Sequence, residues 1–137
     1  MTHKLSLFRV HIDYKLAITL IGVFIIHFFA RYFYIDAVSL WYDESFSVFH
    51  AQGTLAHIKA TCKWDINPPG YLMILHGWIE LFGTSETALR SLSLVSVSLA
   101  ASLLFYICIR YLNTETAVYS SLFLLVSKSL FYYSLEA

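Results

Sequence analysis

Ser39–Phe82 reads SLWYDESFSVFHAQGTLAHIKATCKWDINPPGYLMILHGWIELF. It holds four of the chain's nine carboxylates (Asp43, Glu44, Asp65, Glu80), both prolines and all three tryptophans. Segments too apolar to live in water flank it on both sides. A polar loop of this length between membrane spans is where chemistry is expected. The remainder reads as scaffolding that holds the loop against a bilayer.

Composition supports that frame. Of 137 residues, 58% are apolar and only 13% charged, and the mean hydropathy is +0.65. Soluble domains carry roughly twice that share of charge. Aromatics reach 18%, and many fall where a water–lipid boundary would lie. The expected class is an all-α integral membrane protein. With a net charge of zero and no basic run, no nucleic acid partner is expected. Cys62 and Cys108 fall in a loop and an apolar segment and form no CxxC, so no disulfide is expected.

Residues 1–15 form a short basic lead, read as cytoplasmic, and 16–35 form a first transmembrane helix. Bulky aromatics follow the apolar run instead of the small residues of a cleavage site, which reads as an uncleaved signal-anchor. The positive-inside rule then puts the next loop outside. His27 and Arg31 share one face of this helix. For Arg31 the expectation is snorkelling to the outer headgroups, and the functional alternative is a cation aimed at an anionic headgroup. His27 reads as a packed polar contact. The outer loop covers 36–86. Within it Asp43 is expected to cap a helix over 44–51, and Thr54 a second over 55–63. Pro68 and Pro69 suit the start of a helix that follows them.

The segment 71–82 is short for a span. At 100° per residue Tyr71, Leu75, Trp78, Ile79 and Phe82 share one face, opposite Met73, His76, Gly77 and Glu80, the pattern of a helix lying in the interface. Gly83 to Glu86 should end it and cap the next helix. A second span, 87–112, is rich in serine and alanine suited to close packing, and a third covers 115–133. Residues 134–137 begin an outer segment. With 71–82 in the interface there are three spans, and the Tyr133–Glu136 tail returns to the side of Asp43. With 71–82 as a span the tail would end on the opposite side. Only the first arrangement gathers the polar residues.

Asp43 and Glu44 are a candidate acid/base or metal-binding pair. Neighbouring side chains on a helix point about 100° apart, so one of the two is expected to face a site. The rival reading is a capping aspartate beside a solvated glutamate.

Four motifs in order carry a resemblance: Leu40-Trp41-Tyr42-Asp43-Glu44-Ser45, Asp65-Ile66-Asn67-Pro68-Pro69-Gly70-Tyr71, Leu75-His76-Gly77-Trp78, and Leu81-Phe82-Gly83-Thr84 through Arg90. Together with Tyr132-Tyr133-Ser134-Leu135-Glu136-Ala137 they resemble the opening of a GT-C membrane glycosyltransferase. The branch includes dolichyl-phosphate-mannose-dependent protein mannosyltransferases, the aminoarabinose transferase of lipid A and lipopolysaccharide-core transferases. The resemblance implies a sugar donor linked to polyprenyl or dolichyl phosphate, membrane lipids as surroundings, and an acceptor that is lipid, glycan or protein. It implies an integral protein of the bacterial inner membrane with its active loop on the periplasmic side.

Asp43 then matches the family's active-site aspartate, as general base or as ligand of a divalent ion, magnesium or manganese. Glu44 stands beside it in the catalytic pair. Lys63, Asp65, Asn67, His76, Arg90, Tyr133 and Glu136 are the expected substrate-binding positions. Related chains commonly carry a proline where Ser127-Lys128-Ser129 stands. They also run to several hundred residues with further spans, so this chain is expected to be the N-terminal module of such an enzyme, without turnover alone. The alternative is a small non-catalytic membrane subunit acting through helix association. A transporter is disfavoured because no carboxylate lies at mid-span.

Overall fold

The computed structural model describes residues 13–35, 41–62 and 69–135. Among them are seven helices and no strand: α1 (Tyr14–Tyr32), α2 (Tyr42–Ala51), α3 (Leu55–Thr61), α4 (Pro69–Phe82), α5 (Glu86–Tyr111), α6 (Thr114–Val126) and α7 (Lys128–Tyr133). Of the expected site residues, Lys63, Asp65, Asn67 and Glu136 lie outside the described residues.

Two helices, α1 and α5, are long and apolar enough to cross a membrane. They pack antiparallel, because Ser102 of α5 donates to the Leu20 carbonyl of α1 at 3.2 Å while Arg90 near the start of α5 reaches the carbonyl of Ile35 just past α1. Small residues make the approach possible. Ser98, Ala101 and Ser102 are buried on α5 together with Phe105 and Cys108, one turn after another along a single face. After Asn113, which caps α6 through the Thr116 N–H at 2.7 Å, the chain turns back and α6 runs parallel to α1.

The expected third span over 115–133 is not one helix. It breaks at Ser127, whose ψ of 112° is extended, leaving the 13-residue α6 and the six-residue α7. In an unbroken helix the Leu124 carbonyl would accept from the N–H of residue 128. Here it accepts from Arg31 at 2.8 Å. A ladder bond is exchanged for a charge-assisted one, which is stronger. The break falls where the resemblance places a proline, the residue that would force it.

Arg31 therefore does not snorkel. It is fully buried and turns inward, donating also to the His27 carbonyl and to His27 Nδ1, both at 3.1 Å. Arginine only donates, so Nδ1 accepts and the His27 proton sits on Nε2, 3.0 Å from Ser121 Oγ. His27 is the packed polar contact expected of it.

Helices α2, α3 and α4 pack on the start of α5. Their core is Ala51, Ile58, Leu72, Leu75, Leu89 and Leu92, with Val48, Cys62, Trp78 and Ile79 at its edge. Thr54 caps α3 through the His57 N–H, and Ser85 caps α5 through the Ala88 N–H. Gly83, at φ +84°, closes α4 in the left-handed conformation that glycine alone adopts freely. The buried face of α4 is rotated from the expected one. Leu72 and Leu75 point inward with His76 and Ile79, whereas Phe82 is exposed and Tyr71, at 37% exposure, is only partly covered. The periodicity was real, but Leu72 and not Tyr71 starts the stripe.

Candidate functional site

Asp43 does not cap α2. The helix starts two residues earlier, with Trp41 as its N-cap. The indole side chain cannot accept a bond from the first turn, and Glu44 reaches back to take the Trp41 backbone N–H at 2.8 Å. That is the glutamate half of a capping box. It fixes Asp43 and Glu44 in the first turn, where negative charge meets the positive end of the helix dipole.

The two carboxylates then part. Glu44 is buried, at 3% exposure, against an equally buried Arg90. Arg90 donates from Nη2 to Glu44 Oε2 at 3.2 Å and from Nε to Oε1 at 3.4 Å, a side-on pairing of a planar fork with a carboxylate. Its Nη1 donates to the Ile35 carbonyl at 2.7 Å. One guanidinium thus ties together the end of α1, the first turn of α2 and the first turns of α5. Asp43 is exposed and makes no ion pair or hydrogen bond among the described residues. Of the adjacent pair, one acid is locked inside and the other is presented outside.

Tyr71, in the first turn of α4, belongs to the same neighbourhood. Burial, and then the Glu44 carboxylate, push its hydroxyl up from the ordinary tyrosine value, while a hydrogen bond with Ser93 acts in the opposite direction. It stays a neutral phenol beside the ion pair. His76 lies apart from this cluster. Its Nδ1–H donates to the Ala51 carbonyl at 2.8 Å, joining α4 to the end of α2, and its Nε2 stands 3.5 Å from the exposed Glu80. Trp78 joins α4 to α5 through the Ala88 carbonyl at 2.9 Å.

Tyr133, in the last turn of α7, is exposed and meets only Tyr132 edge-on among the described rings. Its helix nevertheless reaches the same end of the bundle as Arg90. Phe131 packs edge-on against Tyr34 at 5.4 Å and lies 5.9 Å from the Arg31 guanidinium. The structure therefore gathers Asp43, Glu44, Arg90, Tyr71 and α7 around the C-terminal end of α1. Sequence reasoning missed Tyr71, Ser93 and the Ile35 carbonyl. A signal for the ion pair was present: a lone arginine at the head of an apolar helix needs a buried anion, and the outer loop supplies one.

A family model described as dolichyl-phosphate-mannose-protein mannosyltransferase matches residues 66–137, more than half of the chain. The chain belongs to that family. It is thereby a membrane glycosyltransferase module of the GT-C class. The matched family region holds Arg90, Tyr71, His76 and Tyr133, while Asp43 and Glu44 precede it. No curated protein and no solved structure matches the chain significantly.

Proposed function

We propose that this chain supplies the catalytic carboxylate of an enzyme that transfers a sugar from a polyprenyl- or dolichyl-phosphate donor to an acceptor hydroxyl on the outer face of the membrane. The observation that carries the proposal is the division of labour between neighbours. Asp43 is exposed and unengaged among the described residues, beside the first turn of α2 that the buried Glu44–Arg90 pair pins.

In the reaction the acceptor oxygen attacks the anomeric carbon as the bond from that carbon to the phosphate oxygen breaks. Asp43 takes the acceptor proton, and polyprenyl phosphate leaves with the electron pair. The transition state has oxocarbenium character, as in glycoside hydrolysis. Glu44 and Arg90 position Asp43 and do not touch substrate. Arg90 and Arg31, both engaged internally, are poor partners for the donor phosphate. The first turn of α4, whose Gly70 and Tyr71 backbone N–H groups fall outside the intrahelical ladder, suits an anion better, and Lys59 and Lys63 are the lysines of the loop. Among the described residues no group of three or more histidine, cysteine, aspartate or glutamate side chains gathers. A magnesium or manganese ion at Asp43 would find one described carboxylate, so no step is routed through it.

The test is Asp43→Asn in the native membrane, with transfer from a lipid-linked sugar measured directly. Loss of a general base should lower the rate by roughly 10²–10⁴-fold with unfolding unchanged. Transfer at the parental rate would remove Asp43 from the chemistry.

A further inference from the structure

The break between α6 and α7 has no cause in its own stretch of sequence. Residues 114–135 hold neither proline nor glycine, the usual agents of a sharp kink, and lysine at 128 is a good helix former. Unbroken, a helix over 114–133 would be about 30 Å long at 1.5 Å per residue. Yet Ser127 is extended and gives α7 no side-chain cap. The first backbone N–H groups of α7 are thereby left without the ladder partners that a continuous helix would give them. Some contact from elsewhere in the fold must favour the bent form.

Arg31 supplies that contact on both sides of the break. Before it, α1 grips α6 at two points one turn apart. His27 Nε2–H donates to Ser121 Oγ at 3.0 Å, and Arg31 Nη2 donates to the Leu124 carbonyl at 2.8 Å. That carbonyl is the one the Lys128 N–H would use in a continuous helix. After the break, Phe131 of α7 stands 5.9 Å from the same guanidinium and packs edge-on on Tyr34. Ser134, just past α7, is fully buried. The guanidinium itself is poorly served. Among the described residues no carboxylate pairs with it, and its Nε is buried without a hydrogen-bond partner. An apolar side chain of similar size would avoid both penalties. A cation held inside a membrane-spanning helix under such conditions marks a functional position.

We propose that Arg31 is a positioning residue: it imposes the break at Ser127 and so folds α7 against the end of α1, at the end of the bundle that carries Asp43. The effect on sugar transfer rests on the reaction proposed above. The hold on the break does not.

The test compares the parent with Arg31→Met, Lys128→Pro and the double variant, each in the full chain. Hydrogen exchange at the amides of Ser129 and Leu130, in lipid nanodiscs, reads the break directly. Both amides should exchange fast in the parent and slow by about tenfold or more in Arg31→Met, as the helix closes over Ser127. They should be fast again in the double variant, because proline at 128 prevents closure. Transfer in the native membrane should fall about tenfold or more in Arg31→Met, stay at the parental rate in Lys128→Pro, and return close to that rate in the double variant. Rescue by a residue that restores only the bend separates positioning from a direct role of the guanidinium. Should Arg31→Met fail to fold, recovery of fold and transfer in the double variant supports the same conclusion. Exchange that is unchanged in Arg31→Met overturns the proposal. So does a double variant that fails to fold, or one that is open at 129–130 yet transfers no better than Arg31→Met. Parental transfer in Asp43→Asn would sink the reaction reading and leave the exchange result standing.

Discussion

At the residue scale, Glu44 and Arg90 are the pair whose charges cannot be separated cheaply. Removing one member of a buried ion pair leaves the other unsatisfied and costs about 3–5 kcal/mol, whereas replacing both with apolar groups is often nearly neutral. Arg90→Met should therefore destabilise the chain by about that much, and Glu44→Leu combined with Arg90→Met should recover most of it. Unfolding equilibria in mixed micelles measure both. Tyr71 makes a second residue-scale prediction. Its folded value is raised, by burial and by Glu44, so its contribution is present in full below the ordinary tyrosine value of 10.0. That contribution is lost as pH climbs through the higher folded value. The stability of the parent should fall faster than that of Tyr71→Phe above about pH 10. Curves that stay parallel across that range would show that the hydroxyl is not held as described.

At the scale of elements, the break at Ser127 makes an unusual substitution safe. Residue 128 is the first of α7, Ser127 before it is already extended, and the Leu124 carbonyl that a proline ring would strike in a continuous helix belongs to Arg31. Lys128→Pro meets the requirements for proline at a helix start. It should leave the chain as stable as before or stabilise it by about 0.4–1 kcal/mol. Leu122→Pro, inside α6, should cost about 3 kcal/mol. Thermal unfolding of the two variants separates these outcomes. The same element shows what the sequence could and could not convey. Thr54, Ser85 and Gly83 announced their caps and stops because each acts within three or four residues of itself. The break at Ser127 depends on Arg31, more than ninety residues earlier, and no local pattern encodes that. The true face of α4 was hidden for a similar reason. Tyr71 and Leu72 are equally apolar to a periodicity count, and only packing against α2 and α5 decides between them. Glu44 read either as a second catalytic carboxylate or as a solvated acid because its partner lies 46 residues on, and only the family resemblance set Asp43 apart from its neighbour.

At the scale of the whole molecule, the antiparallel pairing of α1 with α5 and the return of α6 set an orientation that can be measured. Ser102 against Leu20, and Arg90 against Ile35, place the α2–α4 layer at the C-terminal end of α1. The Asn113 turn lies at the other end of α5. With 26 residues, α5 is about 39 Å long at 1.5 Å per residue, more than the roughly 30 Å of a hydrocarbon core. The Asp43 end and the Asn113 end should therefore lie on opposite faces of the membrane. In a background with Cys62 and Cys108 replaced by serine, single cysteines at exposed Gln52 and exposed Thr114 should react with a membrane-impermeant thiol reagent from opposite sides. Labelling of Gln52→Cys in intact cells, with Thr114→Cys labelled only after permeabilisation, would set the carboxylate loop on the outer face, where a lipid-linked sugar donor would meet Asp43. The inverse pattern would keep the helix pairing and remove the outer-face assignment. Labelling of both from one side would mean that α5 does not cross, and the packing of α1 on α5 would then have to be that of a core outside the bilayer.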